Sequence, residues 1–209
     1  MWRIRRDMNL FRIDNFNTTR QGWGLSDEFF IYPVGSSLSE GNFKIRLARF
    51  DIREEGQAFD KLPDRKVFLV PIDKNLPINY KGSKMLIKAK TTFRFKADED
   101  LVPLGEAQVF SMTVSENLGA KMEVLKFFDK LIVEDAFAGN KILFIYTLVD
   151  GLYLKCGNKE MDLKKDDMLV MIPDGRYDFE ICPRLTSQSD DDEDELTAES
   201  AIIFGKVVL

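Results

Sequence analysis

Short strand-like runs, each closed off by Gly, Pro, Asp or Asn, recur along most of the chain and leave little room for anything but a β fold. FKIRLARFDI (Phe43 to Ile52) alternates Phe43, Ile45 and Leu47 with Lys44 and Arg46. That is the period-two pattern of a strand with one face buried and the other in water. KVFLV (Lys66 to Val70) is continuously apolar, as in a strand covered on both faces. MLIKA, TFRFKA, QVFSMTV, KILFIYTLV, GLYLKC, DMLVMIP, YDFEIC and the terminal AIIFGKVVL come after it. Such spacing belongs to a β-sandwich or barrel. One segment competes, because Ser115 to Phe137 sets Met122, Leu125 and Phe128 at helical spacing. Its interior Gly119 and β-branched residues weigh against a helix, so a strand is expected over Lys121 to Phe127.

The chain also resembles itself. A shift of 75 residues places Lys66-Val-Phe-Leu-Val70 on Lys141-Ile-Leu-Phe-Ile145, and Lys81-Gly-Ser-Lys84 on Cys156-Gly-Asn-Lys159. It also sets Phe93 and Phe95 on Met168 and Val170. Two matching β units in tandem are the direct reading, and chance likeness between strands is the other.

Bulk properties narrow the function classes. With 209 residues and 44% apolar content, the chain can bury one large core or two small ones. Thirty basic against 35 acidic residues give a net charge of −5, a poor match for nucleic acid, whose binding rests on Lys and Arg neutralising phosphates. No stretch approaches the ~18 apolar residues of a membrane span. The early arginines have no apolar segment behind them, unlike a secretory signal, so a cytoplasmic location away from membranes is expected. Cys156 and Cys182 lack metal-type spacing. Two free thiols are the simpler arrangement in a reducing compartment, and a disulfide is the alternative.

The most restrictive count is zero: there is no histidine. This removes the usual neutral-pH base, the Ser-His and Cys-His nucleophile arrangements, and the commonest transition-metal ligand. Ser187 to Ser200 is a polar block with a run of acids after Asp190. It is expected to be a solvated loop, since such a segment self-repels and has little apolar area to bury.

The richest motif lies near the N-terminus. Arg20-Gln-Gly-Trp-Gly-Leu-Ser-Asp-Glu28, with Tyr32-Pro33 shortly after it, resembles the HutD/Ves family of double cupins, with Trp-Lys-Asn-Gly-Gly-Gly-x-Thr-x-Glu and a nearby Trp-Pro. Phe43-Lys-Ile-Arg-Leu-Ala48 is similar to the family's Trp-Arg-Ile-Ser-x-Ala, and Glu55 to Arg65 to its segment ending in Asp-Arg. Phe93-Arg-Phe95 and Leu104 to Met112 match further motifs. The second half, with turns near Asp150-Gly151, Gly157-Asn158 and Asp166-Asp167, is similar to a cupin barrel core. The family's Trp, Lys and Asn are Thr19, Arg20 and Gln21 here, its middle Gly is Trp23, and its later Asp and Asn are Val109 and Ser111.

The resemblance implies an all-β bicupin, two antiparallel RmlC-like β-barrels in one chain. Residues 1–42 would pack on the barrels and carry the Gly-Trp-Gly motif, residues 43–120 would form the first barrel, and residues 121–209 the second, with the acidic loop at 187–200. It also implies a HutD-like, metal-free and non-catalytic protein of regulatory role in histidine utilisation, binding a small anionic metabolite without a cofactor. The candidate ligand residues are Arg20, Gln21, Gly22, Trp23, Gly24, Ser26, Glu28 and Arg65. Backbone N–H groups freed by Gly22 and Gly24 beside Arg20 would make an anion-receptive corner. A tight turn at the barrel edge is the structural alternative. A metal-independent isomerase or lyase using a carboxylate or Tyr stands as the alternative function, and a second copy of the chain stands as a candidate partner.

Overall fold

The structure, a computed structural model, describes residues 9–53, 56–135, 140–157, 159–173, 177–184 and 199–209. Trp2, Glu55, Asn158 and most of the acidic block lie outside the described residues. Among the described residues every regular element is a strand, and no helix is long and apolar enough to cross a membrane. Strand β11 covers Gly119–Phe127, so the segment that competes for a helix is extended.

The chain divides into two compact units, Ile13–Glu123 and a second of Met1–Arg12 with Val124–Leu209. β1 (Asn9–Arg12) is the N-terminal strand of the latter. The Ile13–Glu123 unit holds β2 (Asn17–Gln21), β3 (Gly24–Tyr32), β4 (Ile45–Ile52), β5 (Arg65–Pro71), β6 (Leu76–Tyr80), β7 (Ser83–Ile87), β8 (Phe93–Lys96), β9 (Leu101–Pro103) and β10 (Ala107–Ser115). They form a six-stranded sheet, β2-β3-β4-β10-β5-β8, and a three-stranded sheet, β7-β6-β9. β11 leads into β12 (Leu131–Asp135), β13 (Lys141–Thr147), β14 (Leu152–Cys156), β15 (Lys159–Leu163), β16 (Met168–Ile172), β17 (Tyr177–Pro183) and β18 (Ser200–Val208). Their sheets run β1-β16-β13-β18-β11 and β12-β17-β14-β15.

The internal likeness reappears as topology. β4-β10-β5-β8 in one unit has the strand order of β11-β18-β13-β16 in the other, and the hairpin β6–β7 corresponds to β14–β15. β5 to β8 and β13 to β16 are the segments that the 75-residue shift superimposes.

The expected closed barrels are not formed: each unit is two open sheets, with no hydrogen-bond ladder joining them among the described residues. Side chains make the closure instead. Ala48, Phe50 and Ile52 of β4, Val67 and Leu69 of β5 and Val109 of β10 pack against Leu76, Ile78, Ile87 and Leu101 of the smaller sheet. In the second unit Leu143, Ile145, Leu169, Met171, Ile202 and Phe204 pack against Leu152, Leu154, Leu163, Phe179 and Ile181.

The single-faced reading of Phe43 to Ile52 also needs correction. Lys44 is exposed, but Arg46 is 5% exposed and buried with Ala48, Phe50 and Ile52. Ile45 and Leu47 on the other face of β4 are buried as well. A strand apolar at both parities is interior on both faces, so a charge within it is carried inward.

Candidate functional site

The Ile13–Glu123 unit holds an open-mouthed cavity of about 50 Å³. Gln21, Trp23, Ser26, Arg46, Phe50, Phe59, Ser111 and Thr113 are among its lining. Cross-strand register explains why these meet. Ser26 on β3 opposes Phe50 on β4, which opposes Val109 on β10. One row on, Glu28 opposes Ala48, and Ala48 opposes Ser111. Arg46 opposes Thr113, and Thr113 opposes Val67. The inward face of β4 and β10 therefore changes from apolar to polar along its length.

A β-bulge between Glu28 and Phe30 sets the limit of this face on β3. Ser26 and Glu28 stand beside the inward residues of β4. Past the bulge Phe30 partners Leu47, and the intervening Phe29 is buried and stacks on Phe110 at 6.4 Å. An extra residue in one strand reverses the facing of every residue beyond it.

Arg46 is the centre of the polar floor. Its Nε donates to Glu28 Oε2 at 2.7 Å and its Nη2 to Ser26 Oγ at 2.9 Å. A guanidinium has five N–H donors, so three remain unspent in a residue whose side chain is 6% exposed. Ser111 Oγ, in a residue 1% exposed, has no hydrogen-bond partner among the described residues. A buried hydroxyl left unpaired costs about 1–3 kcal/mol unless something fills the position. Above the floor Trp23 lies 4.7 Å from Phe50 and 5.3 Å from Phe59, ring centre to ring centre, and Phe50 lies 5.7 Å from Phe59. The Arg46 guanidinium is 5.7 Å from the Phe50 ring centre.

Asp60, which is exposed, and the half-buried Glu99 bring acidic groups to the lining. Glu99 accepts from Lys81 Nζ at 2.7 Å, from Tyr80 Oη at 2.5 Å and from Lys96 N at 3.0 Å. The Lys81 ammonium, then the Tyr80 hydroxyl and the Lys96 amide, hold its carboxyl down at about 2. Burial, and then the hydrogen bond to Glu99, raises the Tyr80 hydroxyl above its ordinary value.

The sequence-derived residues divide. Gln21, Trp23 and Ser26 line the cavity, and Glu28 stands behind Arg46. Arg20 is exposed and opposes Leu25, one position out of phase with the inward Ser26. Gly22 and Trp23 make the turn of the β2–β3 hairpin. Gly24 has φ +149°, and a Cβ there would sit 2.0 Å from the Asp51 carbonyl oxygen. Its glycine thus serves a close approach of β3 to β4. Arg65 donates to the carbonyls of Gly41 and Phe43, each at 2.8 Å, and its guanidinium lies 5.1 Å from the Phe43 ring centre. It fastens the start of β5 and is not part of the lining.

Sequence reasoning missed Arg46, Phe50, Phe59 and Thr113. Arg46 stands where the resembling family pattern has Ser, and that departure was the available signal.

The architecture is of the cupin type. A conserved protein of unknown function from Pseudomonas aeruginosa PAO1 superimposes with TM-score 0.79 at 14% identity, covering 98% of this chain and 100% of that one. HutD from Pseudomonas fluorescens SBW25 gives TM-score 0.69 at 14% identity, covering 96% and 98%. A cupin 2 conserved barrel domain protein from Leptotrichia buccalis gives 0.57 at 9% identity, covering 92% of each chain. No family model matches the sequence, and no curated protein matches it.

Many cupins hold a metal with three His and a Glu. This chain has no His, and among the described residues no three His, Cys, Asp or Glu gather to hold an ion. Glu28, the carboxylate nearest the floor, is engaged by Arg46. The residues do not fit that metal.

Proposed function

We propose that the chain is a HutD-like protein of two cupin units whose Ile13–Glu123 cavity binds a small anionic metabolite, without metal and without catalysis, in a regulatory capacity. The observation that supports this best is the floor itself. A buried guanidinium with unspent donors stands beside a buried hydroxyl with no partner. Guanidinium and hydroxyl groups together suit a carboxylate, which accepts charge-assisted hydrogen bonds from both. The anion site is thus assigned to Arg46, with Ser26, Ser111 and Thr113 around it, in place of the corner around Arg20.

Glu99 and Tyr80 give the acid–base alternative no support. A general base working near neutrality needs a raised carboxylate, and a phenol acting there needs a lowered hydroxyl. Glu99 and Tyr80 are both shifted the opposite way.

Thermal unfolding of the full chain with a panel of small carboxylates tests this reading. Stabilisation that survives Arg20→Ala and disappears in Arg46→Met/Glu28→Gln is expected. The double change keeps the floor free of a lone buried charge. Stabilisation that survives the double change would place the anion elsewhere.

A further inference from the structure

Resting on the anion site just proposed, we infer that its ligand is a monocarboxylate attached to a flat, unsaturated ring. Two observations meet here. The first is the single cation of the floor, Arg46, whose charge is already shared with Glu28. One carboxylate can use its unspent N–H groups and the unpartnered Ser111 hydroxyl. Among the described residues a second carboxylate on the same molecule finds no further cation in the lining and meets Asp60 and Glu99.

The second is the wall. Trp23, Phe50 and Phe59 present three mutually tilted rings to one cavity. Aromatic faces and edges favour another flat ring over a puckered one of equal size, because quadrupoles add to the shared apolar burial. Phe59 is held in place from outside the sheets, its backbone N–H donating to the Leu101 carbonyl at 3.4 Å.

Calorimetric titration of the full chain with benzoate, cyclohexanecarboxylate, terephthalate and acetate tests the inference. Benzoate and cyclohexanecarboxylate share carboxylate and carbon count and differ in flatness. Benzoate should bind about tenfold more tightly than cyclohexanecarboxylate, the scale of roughly one or two aromatic contacts. Terephthalate and acetate should each bind more weakly than benzoate, and Phe59→Leu should bring benzoate level with cyclohexanecarboxylate. Equal binding of benzoate and cyclohexanecarboxylate, with both lost in Arg46→Met/Glu28→Gln, would overturn the flat ring and leave the anion site standing. Terephthalate binding as tightly as benzoate would overturn the single-charge requirement. Binding of none of the four would overturn the anion site beneath the inference as well.

Discussion

Arg46 on β4 and Glu28 on β3 form an ion pair at 2.7 Å, with the arginine side chain 6% and the glutamate side chain 21% exposed. The pair lies within the sheet that builds the cavity, so its two members hold each other's charge out of water together. Breaking such a pair on one side leaves the other charge stranded, whereas replacing both members can be nearly neutral. Arg46→Met alone should therefore lower stability by about 2–4 kcal/mol, and Arg46→Met/Glu28→Gln should recover most of it. Urea unfolding of the two single variants and the double variant measures the coupling.

Ser111 sets stability against binding. Its buried, unpartnered hydroxyl is a cost to the empty protein. Ser111→Ala should raise stability by about 0.5–1 kcal/mol while weakening benzoate binding several-fold. Thermal unfolding with and without benzoate shows both signs in one experiment.

The two glycines of the Gly-Trp-Gly motif are not equivalent. Gly24→Ala drives a Cβ into the Asp51 carbonyl and should cost about 3 kcal/mol or more. Gly22→Ala meets only the Gln57 side chain, at 3.4 Å, and should stay within about 0.5 kcal/mol of the unaltered protein. Melting temperatures of the two variants would separate these cases.

The same residues decide how far the sequence reveals this molecule. The strands are legible because alternation and apolar runs report burial directly, and the 75-residue likeness shows up as matching strand order. The open sheets are not legible, since packing of Phe50 and Val109 on Leu76 and Ile78 closes the units without a ladder. The motif is legible as a turn and as the source of Trp23. Arg20 does not reach the cavity lining, because a strand residue faces one side only and Arg20 is out of phase with Ser26. Arg46 stays hidden because β4 is apolar at both parities, so spacing alone does not tell which face meets a cavity. Phe59 arrives from a non-strand segment, where no periodicity speaks for it.

Acid should weaken the fold through Glu99. Lys81, Tyr80 and the Lys96 amide hold its carboxyl at about 2, against 4.5 for the free group. A depressed carboxyl favours the folded state while ionised, so this contribution is whole above about pH 4.5 and is lost as pH falls toward 2. Because Glu99 is partly open to solvent, the effect is on the order of 1 kcal/mol. The gap in urea midpoint between the unaltered protein and Glu99→Gln should be open at pH 6 and closed at pH 2.

Trp23 makes the central claim directly measurable. The chain has two tryptophans, Trp2 and Trp23, so in a Trp2→Phe protein all indole emission comes from the cavity wall. Titrating benzoate into that protein should change the emission saturably, and Arg20→Ala should leave the response intact. Adding Arg46→Met/Glu28→Gln should abolish it. Emission that stays flat with benzoate, or a saturable response that persists without Arg46, would contradict a carboxylate held on the Arg46 floor beneath the aromatic wall.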